Sequence, residues 1–295
     1  MPAPPEDLPV TQRHSIYPGI EPELFVGSLQ GKVVFITGAS RGIGEATAIA
    51  FAKSGAALFL ASRKQETLDI VKADILDLVP GVRIETHVTD VTEHESVKEA
   101  VQACVREFGK IDVVISNSGA SEDFAQTIAQ QDPEVWWWTW EVNVKGSFNV
   151  AHYTLSELTK TRGYFVFVSS IGAQIQFPGA SSYQSSKHAI NRIAEFAAME
   201  TATDDVKVFA IHPGGVKTEL SKSVGEVLEK FLTDDIQLPA WTMVRLVQGK
   251  DDYLSGRYVS VNWDLDEVHD QWKDTIINDD ALKNRLALPS VIYQA

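Results

Sequence analysis

Tyr183 and Lys187 stand four residues apart in Ser182-Tyr183-Gln184-Ser185-Ser186-Lys187, where the chain opens a helical stretch predicted to run to about Thr203. Side chains at this spacing share a helix face, so a phenol and an ammonium would project side by side. A tyrosine four before a lysine means little alone. A second cluster says more. Gly38-Ala39-Ser40-Arg41-Gly42-Ile43-Gly44 follows the apolar run Val33-Val34-Phe35-Ile36-Thr37 and precedes an alanine-rich segment, Glu45 to Lys53. Glycines allow a tight turn and close backbone approach, so a phosphate can rest on the N–H groups that open the helix. The spacing is G-x-x-x-G-x-G, not the commoner G-x-G-x-x-G. Glycines at a strand end also make plain turns, and it is the strand before and the helix after that point to a nucleotide site.

Which nucleotide is addressed after the second predicted strand, Ala57 to Ala61, by Ser62-Arg63-Lys64. In dinucleotide folds an acidic residue here binds the free 2′-hydroxyl of the adenosine ribose and would repel a 2′-phosphate. This chain has a hydroxyl and two cations instead. Arg63, with Arg41 from the glycine turn, can clamp a phosphate by charge-assisted hydrogen bonds, which predicts NADP(H) over NAD(H). The plainer alternative has Arg63 and Lys64 simply begin a solvated helix. Asp90 and Val91 follow the third strand, Val82 to Val88, at the carboxyl end where open parallel sheets bind ligands. Asp90 is either an acceptor for the adenine amino group or a cap for the helix from Glu93.

The elements that must carry these residues alternate. Gln65 to Leu78 has helical spacing, a fourth strand covers Val113 to Ser116 ahead of Asn117-Ser118-Gly119-Ala120, and a fifth runs from Tyr164 to Ser169. A sixth spans Val206 to Ile211, a seventh Gly256 to Asn262, and residues 219–250 read as irregular with some helix. The alternation predicts a doubly wound parallel sheet of seven strands. Asp132-Pro133-Glu134 signals a helix start, and that helix should pass Trp136, Trp137, Trp138 and Trp140 to end near Lys160. Four tryptophans so close cannot all face one interior, so some are expected to meet a neighbouring subunit. Inside the same helix, Asn143 needs a hydrogen-bonding reason to be there, unless it is merely exposed.

Residues 1–30 hold six of the chain's 12 prolines and read as an arm, with Tyr17, Ile20, Leu24 and Phe25 able to anchor its end. Residues 31–263 form the predicted dinucleotide-binding catalytic domain. Residues 264–295 read as an acidic helical extension, bearing Trp272, Ile276, Leu282, Leu286 and Leu288, packed on the domain or a neighbouring subunit. With 44% hydrophobic and 22% charged residues, the 295-residue chain has an ordinary globular composition. Its net charge of −14 argues against nucleic acid or an anionic membrane as the main partner. No apolar run nears the roughly 18 residues a membrane helix needs, and no secretory signal is visible at the amino terminus. The single Cys104 shares a helical face with Val97, Val101 and Phe108, so it reads as core packing and supplies no metal cluster. A cytoplasmic protein without a metal is the expectation.

Taken in order, Thr37-Gly38-Ala39-Ser40-Arg41-Gly42-Ile43-Gly44, Asp90, Asn117-Ser118-Gly119, Asn143, Ser170, Tyr183-x-x-x-Lys187 and Pro213-Gly214-x-x-x-Thr218 resemble the short-chain dehydrogenase/reductase family. The likeness covers about residues 31–262, and the 13-residue interval from Ser170 to Tyr183 also fits. It implies a Rossmann-type single domain and an NADP(H)-dependent oxidoreductase that interconverts a ketone or aldehyde with an alcohol. Tyr183 is then the general acid or base, with Lys187 favouring its phenolate and binding the nicotinamide ribose. Ser170 would hold the substrate oxygen, and Asn143 would position a water that relays protons from Lys187 to solvent. Gly38, Ser40, Arg41, Gly42, Ile43 and Gly44 would receive the pyrophosphate side. Ser62, Arg63, Asp90, Val91, Asn117 and Gly119 would take the adenosine side, and Pro213, Gly214, Val216 and Thr218 the carboxamide end.

Family habit implies a homodimer or homotetramer paired through the Asn143 and Tyr183 helices. Two departures stand out: Ser118 where a second asparagine is usual, and Asn262-Trp263-Asp264 where aspartate-glycine-glycine is common. The tryptophan-rich helix and the Val-Asn-Trp-Asp ending resemble fungal members, some of which act on secondary metabolites. Phe177, Trp241 and Met243 suggest an apolar pocket wall, although each also suits plain packing. Two other activities stay open: a non-catalytic NADP(H)-binding sensor or scaffold, and a biosynthetic reductase coupled to cyclisation or isomerisation.

Overall fold

Alternate residues of the first strand feed opposite faces of the sheet, and this arrangement builds both halves of the core. In β1 (Val33–Thr37), Val34 and Ile36 join a cluster with Phe51, Leu60 and Trp241, while Val33 and Phe35 join one with Phe59, Cys104, Phe165 and Phe167. The computed structural model describes residues 7–222 and 226–286, with side chains described except at 226–228. Pro2, Pro4, Pro5 and Leu288 lie outside the described residues.

The elements run α1 (Gly42–Lys53), β2 (Ala57–Ser62), α2 (Gln65–Leu78), β3 (Ile84–Val88), α3 (His94–Phe108), β4 (Val113–Ser116), α4 (Pro133–Trp140), α5 (Gly146–Thr161) and β5 (Tyr164–Val168). Then come α6 (Ser181–Glu200), β6 (Lys207–His212), α7 (Glu219–Lys222), α8 (Gln237–Leu246) and β7 (Arg257–Ser260). The seven strands lie in the order β3-β2-β1-β4-β5-β6-β7, every pair parallel. This is a Rossmann-type doubly wound sheet in a single domain. Strand order reverses between β1 and β4, and a crevice opens beyond their carboxyl ends.

Several boundaries differ from those the sequence predicts. Helix α1 starts at Gly42, not Glu45, because the glycine turn itself supplies the first helical residues. Strand β3 starts at Ile84, since Gly81 at φ 86° turns the chain and Val82 N–H still bonds the Val79 carbonyl. The long helix after Asp132 is capped as expected, its carboxylate accepting from Glu134 N–H, but Glu141–Lys145 forms a π turn between α4 and α5. Trp137 and Trp138 are exposed while Trp136 and Trp140 stack half-buried with centroids 5.7 Å apart.

Segment 237–246 is a regular helix buried along nearly its whole length. Trp241 and Met243 there fill the core cluster that also takes in α1, and so are packing residues and not a pocket wall. The amino-terminal segment docks on the fold through Tyr17, Ile20 and Phe25, all buried, whereas Leu24 is 59% exposed and anchors nothing. It meets the chain beyond β7: Gln12 bridges Trp263, Arg13 pairs with Asp264 at 2.6 Å, Thr11 Oγ1 donates to Glu267, and Leu265 N–H donates to the Tyr17 hydroxyl. Asp264 also caps the short helix Leu265–Glu267, accepting from Asp266 and Glu267 N–H. Farther on, the tail lies along α6, where Asn284 donates to the His188 carbonyl and accepts from Arg192.

Candidate active site

The turn after β1 and the loops after β4 and β6 border one another beyond the carboxyl ends of the strands. After β1, Gly38 (φ 64°) and Gly42 (φ 58°) take the left-handed conformation that glycine tolerates. A Cβ on Gly44 would collide with the Gly38 carbonyl oxygen, and one on Gly38 would come within 3.0 Å of the Ser118 backbone. Asn117 braces this turn. Its amide donates to the Thr37 and Gly38 carbonyls at 3.2 and 3.0 Å, and its own N–H bonds Thr37 Oγ1. Gly42 faces Thr218, whose Cγ2 lies 3.4 Å from a Cβ placed there, so the glycine turn and the loop after β6 border the same space. That loop holds Pro213, Gly214 and Val216. The Asp234 carboxylate ties it down by accepting from Gly215 N–H at 2.6 Å. Burial holds neighbouring His212 down to about 4, so it stays neutral near pH 7.

The adenosine side is set by β2 and β3. Ser62 is buried with its hydroxyl unpartnered among the described residues, and Arg63 and Arg41 are exposed. Ser40 lies half-buried in the glycine turn. Asp90 does not cap α3, whose N-cap is Glu93. Its Oδ1 instead accepts from Thr92 N–H and Oγ1 at 2.9 and 2.8 Å, shaping the turn that carries buried Val91.

The reactive end is built by α6 and the π turn. Tyr183 is half-buried, with Ser170 beside it across Gly172. Ser170 itself is fixed, accepting from Gly172 N–H at 3.0 Å. A Cβ on Gly172 would sit 3.2 Å from Ser170 Oγ and 3.5 Å from the Tyr183 ring, so glycine keeps this corner open. Lys187 is only 3% exposed; its Nζ donates to the Val168 carbonyl at 2.8 Å and lies 5.6 Å from the Tyr183 ring centre. Two of its N–H groups remain for other acceptors. Lys187 Nζ and Asn143 Oδ1 both lie within 3.7 Å of a Cβ placed on Gly119, which brings three of the predicted residues to one point.

Asn143 is fully buried, which removes the exposed-position alternative. Its amide donates to the Ala120 carbonyl and Ser186 Oγ at 2.9 Å each, while its oxygen accepts from Ala120 N–H at 2.8 Å. The π turn gives the helix the extra residue that aims this side chain inward.

Electrostatics depart from expectation. Burial pushes the Tyr183 phenol above its usual value; Ser170 pulls it down and the Glu122 carboxylate pushes it further up. Lys187 is drawn down to about 8 by burial. Two residues near the phenol carry no local sequence signal. Glu122 reaches the start of α6 from a loop 60 residues away, and Phe124 lies 6.0 Å from the Tyr183 ring and 6.3 Å from Phe177.

A model of the short chain dehydrogenase family matches residues 32–229. The chain belongs to the short-chain dehydrogenase family. It is 40% identical over 264 residues to Short chain dehydrogenase mpl6 of the fungus Monascus purpureus, covering 88% of this chain and 89% of that one. An NAD+-bound xylitol dehydrogenase superposes with TM-score 0.71 at 28% identity, over 79% of this chain and 98% of its own. An alcohol dehydrogenase from the archaeon Thermococcus sibiricus, complexed with 5-hydroxy-NADP, superposes with TM-score 0.68 at 30% identity, over 78% and 95%. Short-chain dehydrogenases are oxidoreductases that bind a nicotinamide cofactor, and the residues here fit one. The glycine turn packs so closely on the loop after β4 that Gly38 and Gly44 have no room for side chains, and Ser62 keeps a buried hydroxyl with no partner among the described residues.

Proposed function

We propose that this short-chain dehydrogenase is an NADP(H)-dependent carbonyl reductase with Tyr183 as proton donor. The observation that carries the reading is the gathering of Ser170, Tyr183, buried Lys187 and buried Asn143 around Gly172 and Gly119, beyond the carboxyl ends of β4 and β5. The cofactor supplies a hydride when bound. The chain's own groups do the rest. Ser170 and Tyr183 hold the carbonyl oxygen, and Tyr183 protonates it as negative charge develops. Its raised pKa favours the protonated phenol near neutral pH, which suits reduction. Lys187 has two free N–H groups for ribose hydroxyls, and Asn143 organises the backbone between α6 and the loop after β4. Phe124 and Phe177 add apolar faces beside the phenol, supporting a carbonyl flanked by an apolar group.

Cofactor choice rests on Ser62, Arg63 and Arg41 with no carboxylate at the end of β2. The catalytic assembly occurs within one protomer, and a homo-oligomer, a cytoplasmic location and a role in fungal secondary metabolism are further parts of the proposal. The test is a panel of aliphatic and aromatic ketones and aldehydes assayed with NADPH and NADH. Tyr183→Phe should bind NADPH normally and lose about 10²–10⁴-fold in turnover; unchanged turnover would reject Tyr183 as the acid. Arg63→Asp should weaken NADPH by roughly tenfold or more and spare NADH. Equal losses would remove Arg63 from the cofactor site. Tight NADPH binding with no turnover across the whole panel would favour a sensor.

A further inference from the structure

Helix α6 opens without a local cap: Ala180 precedes it and offers no side-chain acceptor. Its first amides are satisfied from outside. Glu122 Oε1 accepts from Ser182 and Tyr183 N–H at 2.9 Å each, and Oε2 accepts from Tyr183 N–H at 3.0 Å. The carboxylate is 3% exposed, and no cation pairs with it among the described residues. A buried, unpaired charge is costly unless hydrogen bonds and a helix dipole offset it. A neutral cap such as serine or asparagine would satisfy the same amides at less cost. Retaining a charge here therefore calls for a second reason, and the nearest group able to feel it is the Tyr183 side chain, whose own N–H the carboxylate holds.

We propose that Glu122 is a positioning residue for the Tyr183 phenol, anchoring the first turn of α6 and facing the phenol with a fixed negative charge. The proposal rests on the reading of Tyr183 as the proton donor. Two charged groups lie beside Tyr183: Lys187 from α6 itself, its Nζ 5.6 Å from the ring centre, and Glu122 from the loop after β4, held on the Tyr183 backbone N–H. Segment 171–177 contributes no titratable side chain, and α4 contributes Trp136, whose indole N–H donates to Ser181 Oγ at 3.1 Å. Glu122 disfavours the phenolate, so the proton stays on Tyr183 until a substrate oxygen draws it off. Lys187 reaches its effect through contacts it makes with other acceptors.

The test separates a charge role from a merely structural cap. Phenolate formation is followed by ultraviolet titration, each protein minus its Tyr183→Phe counterpart, for wild type, Glu122→Gln and Glu122→Met. Glutamine can keep one oxygen on both amides yet carries no charge. The Tyr183 titration should move to lower pH in the uncharged variants, and the alkaline loss of reductive kcat/KM should move with it. An unmoved midpoint in variants with wild-type circular dichroism overturns the proposal. Failure of both variants to fold overturns it too, because the carboxylate is then only a structural cap. The titration needs no turnover. A Tyr183→Phe protein that keeps turnover therefore rejects the proton-donor reading, while equal midpoints reject the role of Glu122 alone.

Discussion

Lys187 shows what the site asks of a single residue. An ammonium with 3% exposure and one hydrogen bond, to the Val168 carbonyl, is drawn down to about 8 by burial, below the ordinary lysine value near 10.4. Between these two values the unfolded chain binds more protons than the folded one, so stability rises with pH through that window. Below about 8 the full cost is present. Lys187→Met should therefore lose turnover yet gain about 1–2 kcal/mol at pH 7, after allowing for the lost hydrogen bond, with less gain near pH 10. Urea unfolding at both pH values reads this directly, and equal or lower stability at pH 7 would contradict it. Cys104 is the opposite case: fully buried, its thiol pushed up by burial, it is packing and inert.

At the scale of elements, the β1–α1 turn and the π turn place the chemistry by different means. The first depends on missing side chains. Gly44→Ala drives a methyl into the Gly38 carbonyl and the Asn117 amide, so it should cost roughly 1–3 kcal/mol and weaken NADPH binding. Thermal unfolding and a cofactor titration would show both, and a normal affinity would place the phosphates elsewhere. This turn was legible beforehand because strand, glycines and helix fall in one short window. So were the sheet, from alternating apolar runs, and the meeting of Ser170, Tyr183 and Lys187.

The π turn at Glu141–Lys145 was not legible, since the flanking helical pattern reads the same with or without one extra residue. Trp241 and Met243 were ambiguous because an apolar side chain looks alike in a core and in a pocket wall. Glu122 was invisible for a third reason: its partners lie 60 and 61 residues away, and no local motif signals a cap borrowed over that span.

For the whole molecule, the notable contact is between the segments before β1 and after β7. Arg13 sends two hydrogen bonds to Asp264, whose side chain is 7% exposed, and Tyr17 receives one from the Leu265 backbone. Arg13→Ala strands that carboxylate and should cost about 1–2 kcal/mol, discounted because Arg13 is itself one-third exposed. Urea unfolding would check it. These contacts span 248 to 256 positions in the chain. On a ribosome adding ~5–20 residues each second, the first-made stretch must therefore wait roughly 10–50 s for its partner to emerge. Nascent chains would present Tyr17, Ile20 and Phe25 to chaperones throughout that interval, and final docking of this clasp should be the step that ends their capture.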